Sequence, residues 1–294
     1  MKPDLEQKLK QPPNRSPDHT AHNRTVLSPV TLAVGDLVRC ADFYTRIIGL
    51  TAFQKSHRQV VLGIGGEPIV NLHQADLPPA EHRTTGLYHV AILVPSRPAL
   101  AQKLTHLIST GVRIAGAADH GVSEALYLAD PEGNGIEIYH DRPPELWPIR
   151  QGHLDMGTQR LDIDGLLAES PAGADSGSLP ANTRIGHLHL RVADLRAAED
   201  FYRNILKMNL MQRFGHSATF LSYEGYHHHI GLNTWESLGA PPHSAGAPGL
   251  VEFRLRPPSK AIYDSIKIAA VATISGDELR LRDPSGNCVI VTAV

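Results

Sequence analysis

The sequence predicts an α+β fold made of four βαβββ units, and two repeats carry that prediction. Val34-Gly35-Asp36-Leu37, five residues and then Phe43-Tyr44 returns as Val192-Ala193-Asp194-Leu195, five residues and Phe201-Tyr202. Asp130-Pro131-Glu132-Gly133-Asn134 returns as Asp283-Pro284-Ser285-Gly286-Asn287. Self-similarity of this kind is the mark of a duplicated supersecondary unit. In each copy of the second repeat the proline presets φ and the Gly-Asn pair tolerates positive φ, which makes a tight turn. The runs beside the first copy, 125–129 and 135–140, are apolar or alternating, so the unit closes as a β-hairpin.

The elements follow in order. Residues 29–34 read as a strand, and Asp36 is placed to cap a helix running to Ile48. Short β-like segments end with 68–73. A second unit starts with a strand over 88–94 and a helix over 97–109, and the hairpin closes it. The same order recurs from His187 and again from Val251. The units are therefore expected at 28–80, 86–142, 184–236 and 249–294. This gives a first domain over 28–142 and a second over 184–294. Residues 143–183 contain the Pro-, Gly- and Ser-rich run Glu169-Ser-Pro-Ala-Gly-Ala-Asp-Ser-Gly-Ser and are expected to be a linker. Residues 1–27 are polar and proline-containing, without the apolar stretch of a signal peptide, and are expected to be a disordered tail.

Composition excludes several classes. A formal net charge of −2 gives no electrostatic footprint for nucleic acid or an anionic membrane. No apolar run approaches the length of a membrane span. Two cysteines, Cys40 and Cys288, are too few for a disulfide framework and point to a cytoplasmic location. Gly63-Ile-Gly65-Gly66 lacks the Lys-Ser/Thr of a phosphate loop, and there is no Gly-x-Ser-x-Gly elbow. Seventeen histidines remain, several of them in strand-like runs.

Glu137 lies between Ile136 and Ile138. A carboxylate in an apolar strand is costly to bury unless a metal or cation compensates it. It also ends a longer string: His120, five residues, Leu126-Tyr127, two residues, Asp130-Pro131-x-Gly133, three residues, Glu137. That string, with the four units, resembles the vicinal oxygen chelate superfamily, and within it the extradiol ring-cleaving dioxygenases of the catechol 2,3-dioxygenase type. The resemblance spans about 28–294. It implies that units pair into two cup-shaped mixed sheets, with metal ligands on the first and last strands of a unit.

Across the four units those first-strand positions are Pro29, His89, His187 and Glu252. The last-strand positions are near Leu72, Glu137, His228 or His229, and Ile290. Units one and four are empty or nearly so, with Glu252 alone, and units two and three hold the rest of the ligand-type residues. Packing unit two on unit three brings His89, Glu137 and His187 together, whereas pairing one with two and three with four splits them. Two histidines and a carboxylate form the facial triad of non-haem Fe(II) sites with open positions. Mn(II) fits the same ligands, and zinc suits them less because nothing here demands a closed tetrahedral site.

Tyr226-His227-His228-His229-Ile230 resembles the double-histidine strand of extradiol enzymes, which places His228 at their active-site histidine. Alternation along a strand sets His227 and His229 on the other face, and a one-residue shift of register exchanges the roles. The resemblance gives His120 and Tyr127 catalytic positions as well. His189 shares the face of His187. Trp147 and Trp235 are aromatic candidates for a pocket wall, with core packing as the alternative.

The implied activity is cleavage of a catechol-type ring by dioxygen, with a small aromatic diol and O2 as partners. Homo-oligomer formation is left open, because sheet edges in the superfamily often pair between chains. Two rivals stand beside it: a glyoxalase-like metal-dependent isomerase or thiol transferase, and a metal-free small-molecule binding module.

Overall fold

The computed structural model describes residues 26–79, 83–171, 177–270 and 273–293. Residues 1–25 of the expected tail lie outside the described residues, while Val26 and Leu27 are buried. Unit one comprises β1 (Leu27–Val34), α1 (Leu37–Phe43), β2 (Thr51–Lys55), β3 (Gln59–Ile64) and β4 (Glu67–Gln74). Unit two comprises β5 (Gly86–Leu93), α2 (Arg97–Thr110), β6 (Gly116–Asp119), β7 (Ser123–Ala129) and β8 (Gly135–Asp141). Then come the short elements β9 (Ile149–Arg150), β10 (His153–Leu154), β11 (Gln159–Arg160) and α3 (Ile163–Ala168). Unit three is β12 (Arg184–Arg191), α4 (Leu195–Asp200), β13 (Asn209–Phe214), β14 (Ala218–Ser222) and β15 (Ile230–Asn233). Unit four is β16 (Gly249–Leu255), α5 (Lys260–Ala269), β17 (Thr273–Ser275), β18 (Glu278–Arg282) and β19 (Cys288–Thr292).

Each unit's helix begins at a side-chain cap. Asp36 accepts from the Arg39 N–H, Ser96 from Ala99, Asp194 from Arg196 and Ala197, and Ser259 from Ile262, each satisfying an otherwise orphaned helical donor. The first helix, expected to reach Ile48, is α-helical only to Phe43 and widens into a π-helical turn over Tyr44–Ile48. Unit three repeats this at Phe201–Ile205. The tyrosines in these turns, Tyr44 and Tyr202, are fully buried. Tyr44 donates to Asp130 Oδ2 (3.3 Å) and Tyr202 to Asp283 Oδ2 (3.2 Å). Asp130 Oδ1 also accepts from the Glu132 and Asn134 amides. The two sequence repeats are therefore the two ends of one interlock, made twice.

The strands form two large sheets. One has the order β11-β6-β7-β8-β5-β12-β15-β14-β13 and joins units two and three. The other, β17-β18-β19-β16-β1-β4-β3-β2, joins units one and four. The central seams are antiparallel, β5 with β12 and β1 with β16. Residues 28–142 and 184–294 thus each give one unit to each sheet, and the tyrosine–aspartate bonds tie the sheets together within each half. Apolar side chains such as Leu32, Val90, Ile138, Leu188, Leu232 and Phe253 fill the core, each contributing about 1.5–3 kcal/mol by leaving water.

Residues 143–183 are not the bare linker that their composition suggests. β9 and β10 pair as a hairpin, β11 extends the nine-stranded sheet at β6, and α3 packs on α2. Leu161 and Leu166 are buried and anchor the segment. The Pro, Gly and Ser content marks its turns and says nothing of these leucines. Residues 172–176 are outside the described residues. Among the described residues, no helix is long and apolar enough to cross a membrane.

Candidate metal centre

The centre arises from the seam between units two and three. In this register the buried Ala91 lies opposite His187 on β12 and opposite Glu137 on β8. A methyl group between two longer side chains lets them converge above it. His89 precedes Ala91 by two residues and so projects from the same face. His89 Nε2 lies 2.9 Å from Glu137 Oε2, His187 Nε2 lies 3.1 Å from that oxygen, and the two nitrogens are 3.4 Å apart. All three residues are buried and each offers one ligand atom to a common point.

The protonation states suit a cation. Burial alone would raise the Glu137 carboxyl, but His187 and His89 outweigh it and hold the group well below the ordinary carboxylate range. Burial pushes His187 down to about 4, against the pull of Glu137. An ionised carboxylate and a neutral imidazole are the forms that ligate. Two imidazole nitrogens and one carboxylate oxygen match the triad of non-haem iron sites, and Mn(II) accepts the same donors.

The seam also has a pseudo-twofold axis, and its fourth corner is informative. The axis relates Ala91 to His189 and His89 to His187, since His187 pairs with Ala91 and His189 with His89. In unit two Ala91 pairs with Glu137; in unit three His189 pairs with Gly231. The unit-three counterpart of Glu137 is therefore Gly231, not His228 or His229 as the sequence suggested. A Cβ on Gly231 would come within 3.0 Å of the His189 ring, so the missing side chain makes room for that imidazole. In the other sheet the corresponding positions are Pro29, Glu252, Ile290 and Asn71, the last one residue from the expected Leu72. Glu252 is taken by an ion pair with Arg280 at 2.8 Å.

Beside the triad is a cavity of about 540 Å³, lined by Tyr88, Tyr127, Phe220, Trp235, His189 and His228 among others. Tyr127 stands opposite Glu137 in the β7–β8 ladder. His120, in the β6–β7 turn, lies 2.7 Å from the Tyr127 hydroxyl through Nε2 and 2.7 Å from the Gly157 carbonyl through Nδ1. The carbonyl can only accept, so Nδ1 donates to it. A neutral ring then has Nε2 free to accept the Tyr127 O–H, which is also in hydrogen-bond contact with the Glu137 carboxylate. Burial first, then Glu137, raises the Tyr127 phenol well above its usual value, so it stays protonated. His189 is buried with no hydrogen-bond partner at Nε2, and burial lowers it well below the usual imidazole value.

The histidine run departs from the expected strand. β15 begins only at Ile230, so side chains 227–229 do not alternate. His227 and His228 both turn inward, with Nδ1 atoms 2.8 Å apart, and His228 lines the cavity with its ring 4.1 Å from that of His187. His229 turns aside to Ser222 and the Tyr223 amide. Trp235 lines the cavity, whereas Trp147 lies at a larger one of about 750 Å³ that contains none of the triad. Sequence patterns gave no sign of Met156, Gly157, Thr158, Phe214 and Phe220 as cavity residues; the first three come from one loop and the phenylalanines from two strands of unit three, and they share no motif.

A chain with this fold and this cluster matches the glyoxalase/bleomycin resistance protein/dioxygenase superfamily over residues 18–138 and 184–252, and it belongs to that superfamily. It is 42% identical to a catechol-2,3-dioxygenase of Bacillus subtilis (strain 168) over 253 residues, 83% of this chain and 87% of that one. Two crystal structures share the fold. One is a protein of Bacillus subtilis subsp. subtilis str. 168, with a TM-score of 0.60, 16% identity and coverage of 92% and 86% of the two chains. The other is glyoxalase I from Zea mays, with a TM-score of 0.54, 17% identity and 92% of both chains. Family membership and the buried His-Glu-His cluster together support a metal cofactor.

Proposed function

We propose that this protein is an extradiol dioxygenase that opens a catechol-type ring beside its two hydroxyls, with Fe(II) held by His89, His187 and Glu137. The observation that carries the reading is a three-ligand site whose fourth corner is Gly231. A metal held there by three protein groups on one side keeps positions free for a chelating diol and for dioxygen. When bound, the ferrous ion supplies the Lewis acidity and the redox chemistry of ring cleavage. The catechol-2,3-dioxygenase relative supports the choice of substrate class.

The chain's own residues do the rest. Tyr88, Phe220 and Trp235 line the cavity and give the ring its aromatic walls. Tyr127, 2.7 Å from His120 Nε2 and in hydrogen-bond contact with Glu137, is placed to orient a substrate hydroxyl. His228, with Nδ1 bonded to His227, has Nε2 left for the cavity and takes a hydroxyl proton there. Gly231 offers no side-chain ligand at the fourth corner, which argues against a four-ligand isomerase site.

The test is anaerobic loading with Fe(II), then catechol, then air. A yellow product with one oxygen consumed per catechol supports the reading. Metal uptake without oxygen consumption across a panel of catechols overturns it and points to isomerase or transferase chemistry.

A further inference from the structure

We infer that Asp141 and His227 are positioning residues that decide which nitrogen of His228 carries its proton. Asp141 ends β8, four residues beyond Glu137, and does not line the metal cavity. Its carboxylate receives two bonds: the Tyr226 hydroxyl at 2.8 Å on Oδ2, and His227 Nε2 at 2.7 Å on Oδ1. A carboxylate only accepts, so a proton lies on His227 Nε2, and with that single proton on the ring Nδ1 is left as the acceptor. The group 2.8 Å from that acceptor is His228 Nδ1, which must then be the donor. The remaining lone pair of His228 is on Nε2, the nitrogen left for the cavity. The tautomer of the residue beside the metal is thus written by a carboxylate two hydrogen bonds away.

The frame around this chain is closely packed. The Tyr226 ring stacks on His227 with centroids 4.0 Å apart, Trp147 packs edge-on at 5.4 Å, and the Tyr139 and Tyr226 hydroxyls are 2.7 Å apart. His227 is wholly buried, so water does not compete for its nitrogens. Asp141 is partly exposed and lines the separate 750 Å³ cavity. The device spans the layer between the two cavities.

The kinetic half of this inference rests on the proposed function; the tautomer half does not, and one experiment separates them. Long-range ¹⁵N–¹H spectra of the imidazoles in the metal-free full chain read each tautomer, with His228 assigned through His228→Asn. The expected result is His227 protonated at Nε2 and His228 protonated at Nδ1. In Asp141→Ala both become mixtures, while Asp141→Asn, whose amide oxygen still accepts, restores them. In the Fe(II)-loaded enzyme Asp141→Ala lowers kcat by at least about 10-fold with metal content and KM for catechol unchanged, and Asp141→Asn recovers most of it. His228 protonated at Nε2 in the wild type overturns the inference without any variant having to fold. So does an unchanged tautomer, or an unchanged kcat, in Asp141→Ala. If no catechol is turned over at all, the dioxygenase reading fails while the spectra still decide the positioning role.

Discussion

Replacing Gly231 by alanine probes the open fourth corner. A Cβ there would lie 3.0 Å from Cγ and Cδ2 of His189 and 3.2 Å from its Nδ1, and these are its three nearest neighbours. The ring has little freedom to retreat, because Tyr88, His89 and Trp235 pack on it with centroids 5.1, 5.0 and 5.3 Å away. Overpacking of this kind costs about 1–3 kcal/mol. The backbone at 231 has no positive φ, so the stiffer unfolded chain returns about 0.4–1 kcal/mol. The expected net loss is about 1–2 kcal/mol. In a His189→Ala background the three close atoms are gone, and the same substitution becomes neutral or slightly stabilising. Urea melts of the four metal-free proteins close this double-mutant cycle. An equal effect of Gly231→Ala in both backgrounds would refute the claim that the glycine is there to seat His189.

Further outcomes follow from the same geometry. Glu137→Gln keeps the fold by circular dichroism but weakens Fe(II) binding, measured by anaerobic titration, by more than the roughly 10- to 100-fold that outer partners of a ligand are worth. Metal-free stability falls on acidification. His187 has its folded value pushed down to about 4 from 6.5, so between those limits the unfolded chain takes a proton that the folded chain refuses. Stability is full above about pH 6.5 and declines below it, by on the order of 2 kcal/mol at pH 5. His189 and His228, also lowered by burial, act with the same sign. Urea midpoints at pH 7.5 and pH 5 that coincide would contradict neutral buried imidazoles. Tyr44→Phe removes one bond to Asp130, whose Oδ2 still accepts from Asn134 Nδ2, so a loss of about 1 kcal/mol in the same melts is expected.

The triad's convergence was legible in the sequence because it depends on the repeat. Once the units are aligned on their helix caps, His89 and His187 occupy one strand position, and Glu137 stands out as a carboxylate between isoleucines. The turn-and-tyrosine repeats gave the unit boundaries for the same reason: caps and tight turns are local chemistry. What depends on pairing was not legible. Gly231 acquires meaning only from the parallel register of β12 with β15. The run 226–229 looks like strand by composition, yet it lies in the approach to β15, where two consecutive imidazoles face inward because Asp141 and His228 both bond His227. Met156 and Phe220 reach the cavity from elements far apart in sequence, which no local pattern records.

The most direct test of the central claim is the position of the metal. Anomalous scattering at the iron edge from anaerobically Fe(II)-loaded crystals should show one ion, bound by His89 Nε2, His187 Nε2 and a Glu137 oxygen, with no protein ligand on the Gly231 side. An ion held instead among His227, His228 and Asp141, or one with His189 as a fourth protein ligand, would contradict the account.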